Sequence, residues 1–265
     1  MRTTIWLAAL LLIVPLASAA PSGSFPENPD DAFDPILFPV FSPPVHGQHG
    51  AEFRTIAKLW NKGSSAVTVF GFDATCDPLG DPPIFPHSPV NIAPRGDEQP
   101  ILTDCSSTAG RLFFVPKGDT SIVANLRVQE MTRQAENHGV EIPVVRRADF
   151  SDTSIALVGV PNDPRFRLTL RVYSLGYGGI STVNVTVLAR NGEIGSTDRV
   201  ALLPGPSRLP FEPSYAAFTG FLPASVYGEG DLTVLIENET PNSPPIWAFI
   251  TVTNNETQHI TTGTP

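Results

Sequence analysis

The chain has 265 residues, a formal net charge of −9 and only 16% charged residues, against about 25% in ordinary globular proteins. An acidic balance excludes the basic footprint that nucleic-acid phosphates require. With 28 prolines, about twice the average share, long helices are excluded in favour of short strands joined by turns.

Residues 1–19 read as an export signal: Arg2 gives a positive start, Ile5–Leu16 an apolar run, and Ala17-Ser18-Ala19 a small-residue cleavage site. The apolar run falls short of the roughly 20 residues a membrane span needs, and no Cys follows the cleavage site to carry a lipid. A secreted or periplasmic protein without a membrane span is expected. The segment 20–34, rich in Pro, Asp and Ser, is expected to be a disordered leader. Pro35–Phe41 is a short apolar run interrupted by Pro39 and followed by Pro43, which predicts an edge strand.

Phe53–Lys62 predicts a strand, Gly63-Ser64-Ser65 a turn, and Ala66–Asp73 a returning strand rich in Val and Phe. Two cysteines follow, Cys76 and Cys105. In an oxidising compartment they are expected to pair, closing a loop of roughly 30 residues worth about 3 kcal/mol in the chain-entropy model. The rival reading is two free thiols or half a metal site, although neither cysteine has C-x-x-C spacing. Glu130–His138 alone has helical propensity, and Pro143–Asp149, with Arg146 and Arg147, reads as a linker.

The next stretch, Arg165–Gly176, alternates strictly. Phe166, Leu168, Leu170 and Val172 fall on one face; Arg165, Arg167, Thr169, Arg171 and Tyr173 fall on the other. That period of two predicts a strand with one face in a core. It also repeats Phe53–Gly63 without a gap: Phe53 aligns with Phe166, Arg54 with Arg167, Lys58 with Arg171, Trp60 with Tyr173, and Gly63 with Gly176. A Gly turn and a strand, Ile180–Ala189, follow here too, and each strand pair is predicted to be a hairpin. More loosely, Val90–Pro94 matches Val200–Pro204, and Ile122–Val128 matches Ile246–Val252. Four segments in the same order point to an internal duplication.

Strands at regular spacing with Pro and Gly turns, and no alternation with helices, predict an all-β protein of two tandem antiparallel sandwiches. The expected boundaries are 35–145 and 150–258, with 259–265 a flexible tail. Units such as L-R-V-Y-S-L-G followed by T-V-N-V-T-V, then a strand ending in Pro-Gly, resemble bacterial extracellular Ig-like or fibronectin type III-like modules. The resemblance implies two Ig-like domains serving as spacers, adhesins or binding accessories without catalysis. A bridge between Cys76 and Cys105 would be short for the inter-sheet disulfide of antibody domains.

No G-x-S-x-G, H-E-x-x-H or Gly-rich phosphate loop with Lys occurs, and no catalytic residue, cofactor or metal is expected. His46 and His49 read as a polar turn rather than half a zinc site. Asp73, Asp77 and Asp81 read as turn formers rather than a calcium loop. Three N-x-T sequons begin at Asn184, Asn238 and Asn255. The candidate ligand-binding residues are the polar faces of the repeated strand, Arg54, Lys58 and Trp60 with Arg167, Arg171 and Tyr173. Cations and flat rings on one strand face suit an anionic or sugar-ring ligand. The same side chains also serve simply to cover a sheet surface. The partner expected is a cell-envelope protein or a polysaccharide.

Overall fold

The computed structural model describes residues 29–41, 44–47, 50–71, 89–98, 110–132, 138–176, 179–204, 212–222 and 230–265. Cys76 and Cys105, together with His49, Asp73, Asp77 and Asp81, lie outside the described residues, as do residues 1–19, the expected export signal. Among the described residues the protein is all-β, built from small antiparallel sheets.

In chain order the strands of the first half are β1 (Phe33–Phe38), β2 (Val45–His46), β3 (Glu52–Asn61), β4 (Val67–Val69) and β5 (Val90–Ile92). β6 (Asp97–Glu98), β7 (Arg111–Pro116), β8 (Ile122–Glu130), β9 (Val140–Glu141) and β10 (Val145–Arg146) follow. The second half runs β11 (Ser154–Val160), β12 (Phe166–Ser174), β13 (Ser181–Leu188), β14 (Ile194–Leu202), β15 (Ser214–Thr219), β16 (Leu232–Asn238), β17 (Ile246–Asn254) and β18 (Ile260–Gly263).

The second half forms two four-stranded sheets, ordered β11-β16-β13-β14 and β15-β12-β17-β18. The first half follows the same plan, with β4, β5, β6 and β9 shorter than their counterparts. β1 pairs β7, β7 meets β4 through the Phe70↔Phe114 bridge, and β4 pairs β5. In the other sheet β6 pairs β3, β3 pairs β8, and β8 pairs β9. Register agrees as well as order. Thr55↔Val128 and Asn61↔Ile122 in one half correspond to Leu168↔Val252 and Ser174↔Ile246 in the other. Likewise Val67↔Ile92 and Val69↔Val90 correspond to Ser181↔Leu202 and Val183↔Val200.

The alternation read from β12 holds for Leu168, Leu170 and Val172, which are buried, whereas Phe166 is only half-buried and Tyr173, expected on the outer face, is buried as well. Its counterpart β3 buries Thr55, Ala57, Leu59 and Asn61 at the same positions. Of these, Ala57, Leu59, Leu168, Leu170 and Val172 belong to one continuous buried cluster that runs through both halves, and burial of such aliphatic side chains is the main favourable term in folding.

Several expectations are corrected. The two Gly turns do not close hairpins: β3 pairs β8 rather than β4, and β12 pairs β15 and β17 rather than β13. Each turn carries the chain from one sheet to the other, and a small buried polar side chain ties the corner. Asn61 donates from Nδ2 to the Ser65 and Ile92 carbonyls and accepts from the Gly63 N–H. At the same position in the second half, the Ser174 and Ser181 hydroxyls share a 3.1 Å hydrogen bond.

β1 begins inside the expected leader, at Phe33, and is the middle strand of its sheet rather than an edge. Pro35 is tolerated there. Its partner Phe114 gives both backbone bonds to Phe70, which turns the proline nitrogen away from β7, and β10 pairs only from Ile36 onward. The expected linker is structured, since β10 pairs β1 and a 3-10 turn, Arg147–Asp149, follows. The expected flexible tail forms β18 on the edge of β17. Of the stretch with helical propensity, Glu130 ends β8 and 133–137 lie outside the described residues.

Candidate functional site

The six candidate residues all lie on the outward side of β3 and β12, as the sequence pattern requires, yet the two faces have different surroundings. On β3, Arg54, Lys58 and Trp60 are exposed. Lys58 forms an ion pair with Asp97 of β6. The hydrogen bond from Lys58, and then its charge, hold the Asp97 carboxyl below its ordinary range. The Trp60 indole N–H donates 3.3 Å to the Arg95 carbonyl, so the ring is held against the strand although 40% exposed. Across the sheet, Val123 of β8 faces Trp60 and is 43% exposed, and Arg127 pairs with Glu141 at 3.6 Å. The result is a sheet surface with an exposed apolar pair near one end of the β3–β8 ladder and two ion pairs on the same surface.

On β12 the corresponding side chains are partly or wholly covered. Tyr173 is fully buried, stacked on Tyr215 at 6.3 Å and Phe249 at 6.4 Å, with Trp247 at 6.1 Å. Burial pushes its phenol well above the ordinary tyrosine range, and its hydroxyl has no hydrogen-bond partner among the described residues. Arg171 places its guanidinium 5.8 Å from the Phe249 ring centre and donates to the Thr251 hydroxyl at 3.2 Å. Burial also lowers the pKa of Arg167.

Arg167, Thr169 and Arg171 line a 160 Å³ cavity whose opposite wall includes Phe53, Val128 and Ile142 of the first half. The second basic face is therefore turned onto the other half of the molecule. Trp60 and Tyr173 do not form one platform.

A wider hollow of 550 Å³ opens at the far end of the second half, lined by Pro164, Phe166, Leu168, Phe221 and Leu222. Asp163 is at its edge, paired with Arg165 at 2.5 Å. Sequence reasoning did not find this hollow. Phe221 and Leu222 follow β15, and only the pairing of β15 with β12 brings them beside Phe166.

Of the remaining motifs, His46 is exposed at the end of β2. Two sequon asparagines use their amides structurally: Asn238 donates to the Asp152 carbonyl at 2.9 Å and Asn255 to the Pro164 carbonyl at 3.1 Å. Among the described residues no helix is long and apolar enough to cross a membrane, and no cluster of three or more His, Cys, Asp or Glu is placed to hold a metal.

The chain matches no family model, no curated protein and no solved structure.

Proposed function

We propose that the protein is an exported, non-catalytic interaction module of the extracellular space or cell envelope, made of two tandem Ig-like β-sandwiches that arose by internal duplication. The duplication is supported by two sets of strands sharing order and register. An Ig-like ancestry is supported by the inner pairings: β12 with β15 and β13 with β16 correspond to B–E and C–F of an immunoglobulin sandwich. The outer strands depart from that pattern. β11 lies beside β16 where an immunoglobulin has its last strand, and β17 lies beside β12 where it has its first.

The observation that carries the functional reading is the exposed face of β3. A ring held by its own hydrogen bond, beside an exposed valine and the Lys58–Asp97 ion pair, has the character of a binding surface. The same face favours a second reading, a carbohydrate-binding module or accessory to a polysaccharide-degrading enzyme, because an exposed Trp next to Lys58, with Arg54 farther along the same strand face, can stack on a sugar ring.

Depletion of the purified chain from solution by insoluble polysaccharides and by isolated cell envelopes tests both readings, with Trp60→Ala run beside wild type. Retention by envelopes that the variant loses supports the interaction module. Retention by one glycan, lost in the variant, favours the carbohydrate reading. Retention by neither, with wild type fully folded, overturns both.

A further inference from the structure

β8 has a neighbour along only part of the side that faces away from β3. The Lys62 N–H donates to the Ser121 carbonyl and the Met131 N–H to the Glu52 carbonyl, so the odd-numbered residues of β8 direct their backbone groups toward β3. The even-numbered ones face the other way, as the bond from the Ile142 N–H to the Leu126 carbonyl shows. On that side β9 pairs with Arg127 and Val128, and the chain then leaves through Pro143 for β10. At the start of β8 the Ile122 carbonyl accepts from the Arg146 guanidinium. Between these points, among the described residues, the N–H and C=O of Ala124 have no strand beside them.

Ala124 lines a hollow of 340 Å³ whose floor is apolar, with Ile36, Ile122 and Val144, and whose rim carries Lys62 and Arg146. No acidic side chain lines it. The Lys62 ammonium has no partner among the described residues. Arg146 donates to the Asp119 and Ile122 carbonyls, which are neutral acceptors and leave part of its fork open. The carboxylates nearest in the chain are engaged: Asp119 accepts from the Ser121 and Ile122 N–H groups, and Asp149 from the Arg146 backbone N–H.

We propose that this hollow binds the carboxylate end of an extended polypeptide, laid antiparallel beside β8 and in line with β9. Its backbone bonds to Ala124, its last side chain rests on the apolar floor, and its terminal carboxylate lies between Lys62 and Arg146. The inference rests on reading the protein as an interaction module, and it gives the partner's chemistry. A free strand edge supplies main-chain bonds, and a fixed cation pair supplies the end point: strand addition combined with carboxylate capture. The volume suits a small ligand, so only the last few residues of the partner enter. Val123 also lines the hollow and faces Trp60 across the ladder, so the exposed pair of the β3 face borders the site. The charge of the whole chain, −9, repels a long polyanion, whereas a single terminal carboxylate meets the local pair of cations.

NMR titration of the isotope-labelled chain from Ala20 onward tests this. The probes are a pool of acetylated pentapeptides of Val, Leu, Thr and Ser with free terminal carboxylates, the same pool amidated, and an oligogalacturonate. The free pool is expected to shift the Lys62, Ile122 and Ala124 amides and to slow exchange of the Ala124 N–H. The amidated pool is expected to bind more than about tenfold more weakly, and the free pool about fivefold more weakly to Lys62→Gln. Ala124→Pro removes the open N–H at a position where an edge tolerates proline, and is expected to lose binding; Lys62→Gln stands alone if that variant does not melt cooperatively. Equal binding of the two pools overturns the proposal, as does an Ala124 amide that the free pool does not move at millimolar concentration. An oligogalacturonate that shifts Lys62 and Ala124 when the peptides do not also overturns it, and makes the site one for acidic glycans. Envelope retention that Trp60→Ala loses and Lys62→Gln keeps, with a silent Ala124 amide, removes this site and leaves the proposed function standing.

Discussion

Single residues decide how the two faces of the repeated strand differ. Leu170 is fully buried on the inward face of β12, and an aspartate there would bury an unpaired charge. Leu170→Asp is expected to cost about 4 kcal/mol, read as a large fall in melting temperature; an unchanged melt would mean that this face is not in the core. Tyr173 gives the opposite expectation. Its hydroxyl is buried without a partner among the described residues, so Tyr173→Phe removes a desolvation cost and keeps the ring stacking. It is expected to raise stability by about 1 kcal/mol, measured by denaturant unfolding. On the open face, Lys58→Met is expected to return the Asp97 carboxyl upward toward its ordinary range, followed by NMR titration. Because the folded value is lowered, the pair's small contribution is present above the unfolded carboxyl range and is lost as pH falls through the folded value.

The alternation of β12 and its repeat in β3 were legible in the sequence because the period of two is imposed by backbone pleating alone. Partner choice was not legible. A Gly-containing turn between two alternating strands suits a hairpin and a sheet-to-sheet corner equally well; what separates them here is long-range, the Asn61 amide reaching the Ile92 carbonyl. Asn61→Ala is expected to cost about 2 kcal/mol, because a buried donor to two carbonyls is lost. For the same reason β18 was hidden in the Thr-rich tail. Its side chains are half-exposed, and only the free edge of β17 makes it a strand. Truncation after His259 is expected to lower the melting temperature, whereas a frayed tail would leave it unchanged. The candidate residues were legible as a face, but whether each face met water or protein depended on the other half of the chain. Tyr173 and Trp60, aligned in sequence, ended on opposite sides of that distinction.

Over the whole molecule, the continuous buried cluster joins the halves, which favours cooperative unfolding over two independent transitions. Apart from Trp6, the chain has two tryptophans, Trp60 in the first half and Trp247 in the second. Phenylalanine replacement of each in turn leaves a reporter on one half. The two reporters are expected to give coincident denaturation midpoints, and Leu170→Asp is expected to move both together. Two separated midpoints would show that the halves unfold independently.

The segment joining the halves holds the adjacent pair Arg146-Arg147, and a trypsin-like protease cleaves after such residues in an open loop. Here its backbone is spoken for: Arg146 pairs with Ile36 as part of β10. Its guanidinium donates to the Asp119 and Ile122 carbonyls, and Arg147 holds Asp30 at 3.0 Å. Nicking enzymes bind substrate as a locally unfolded strand, so opening this site requires stripping β10 from β1. The dibasic joint is therefore a point of resistance to proteases, and cleavage there reports the unfolding of the first half's sheet.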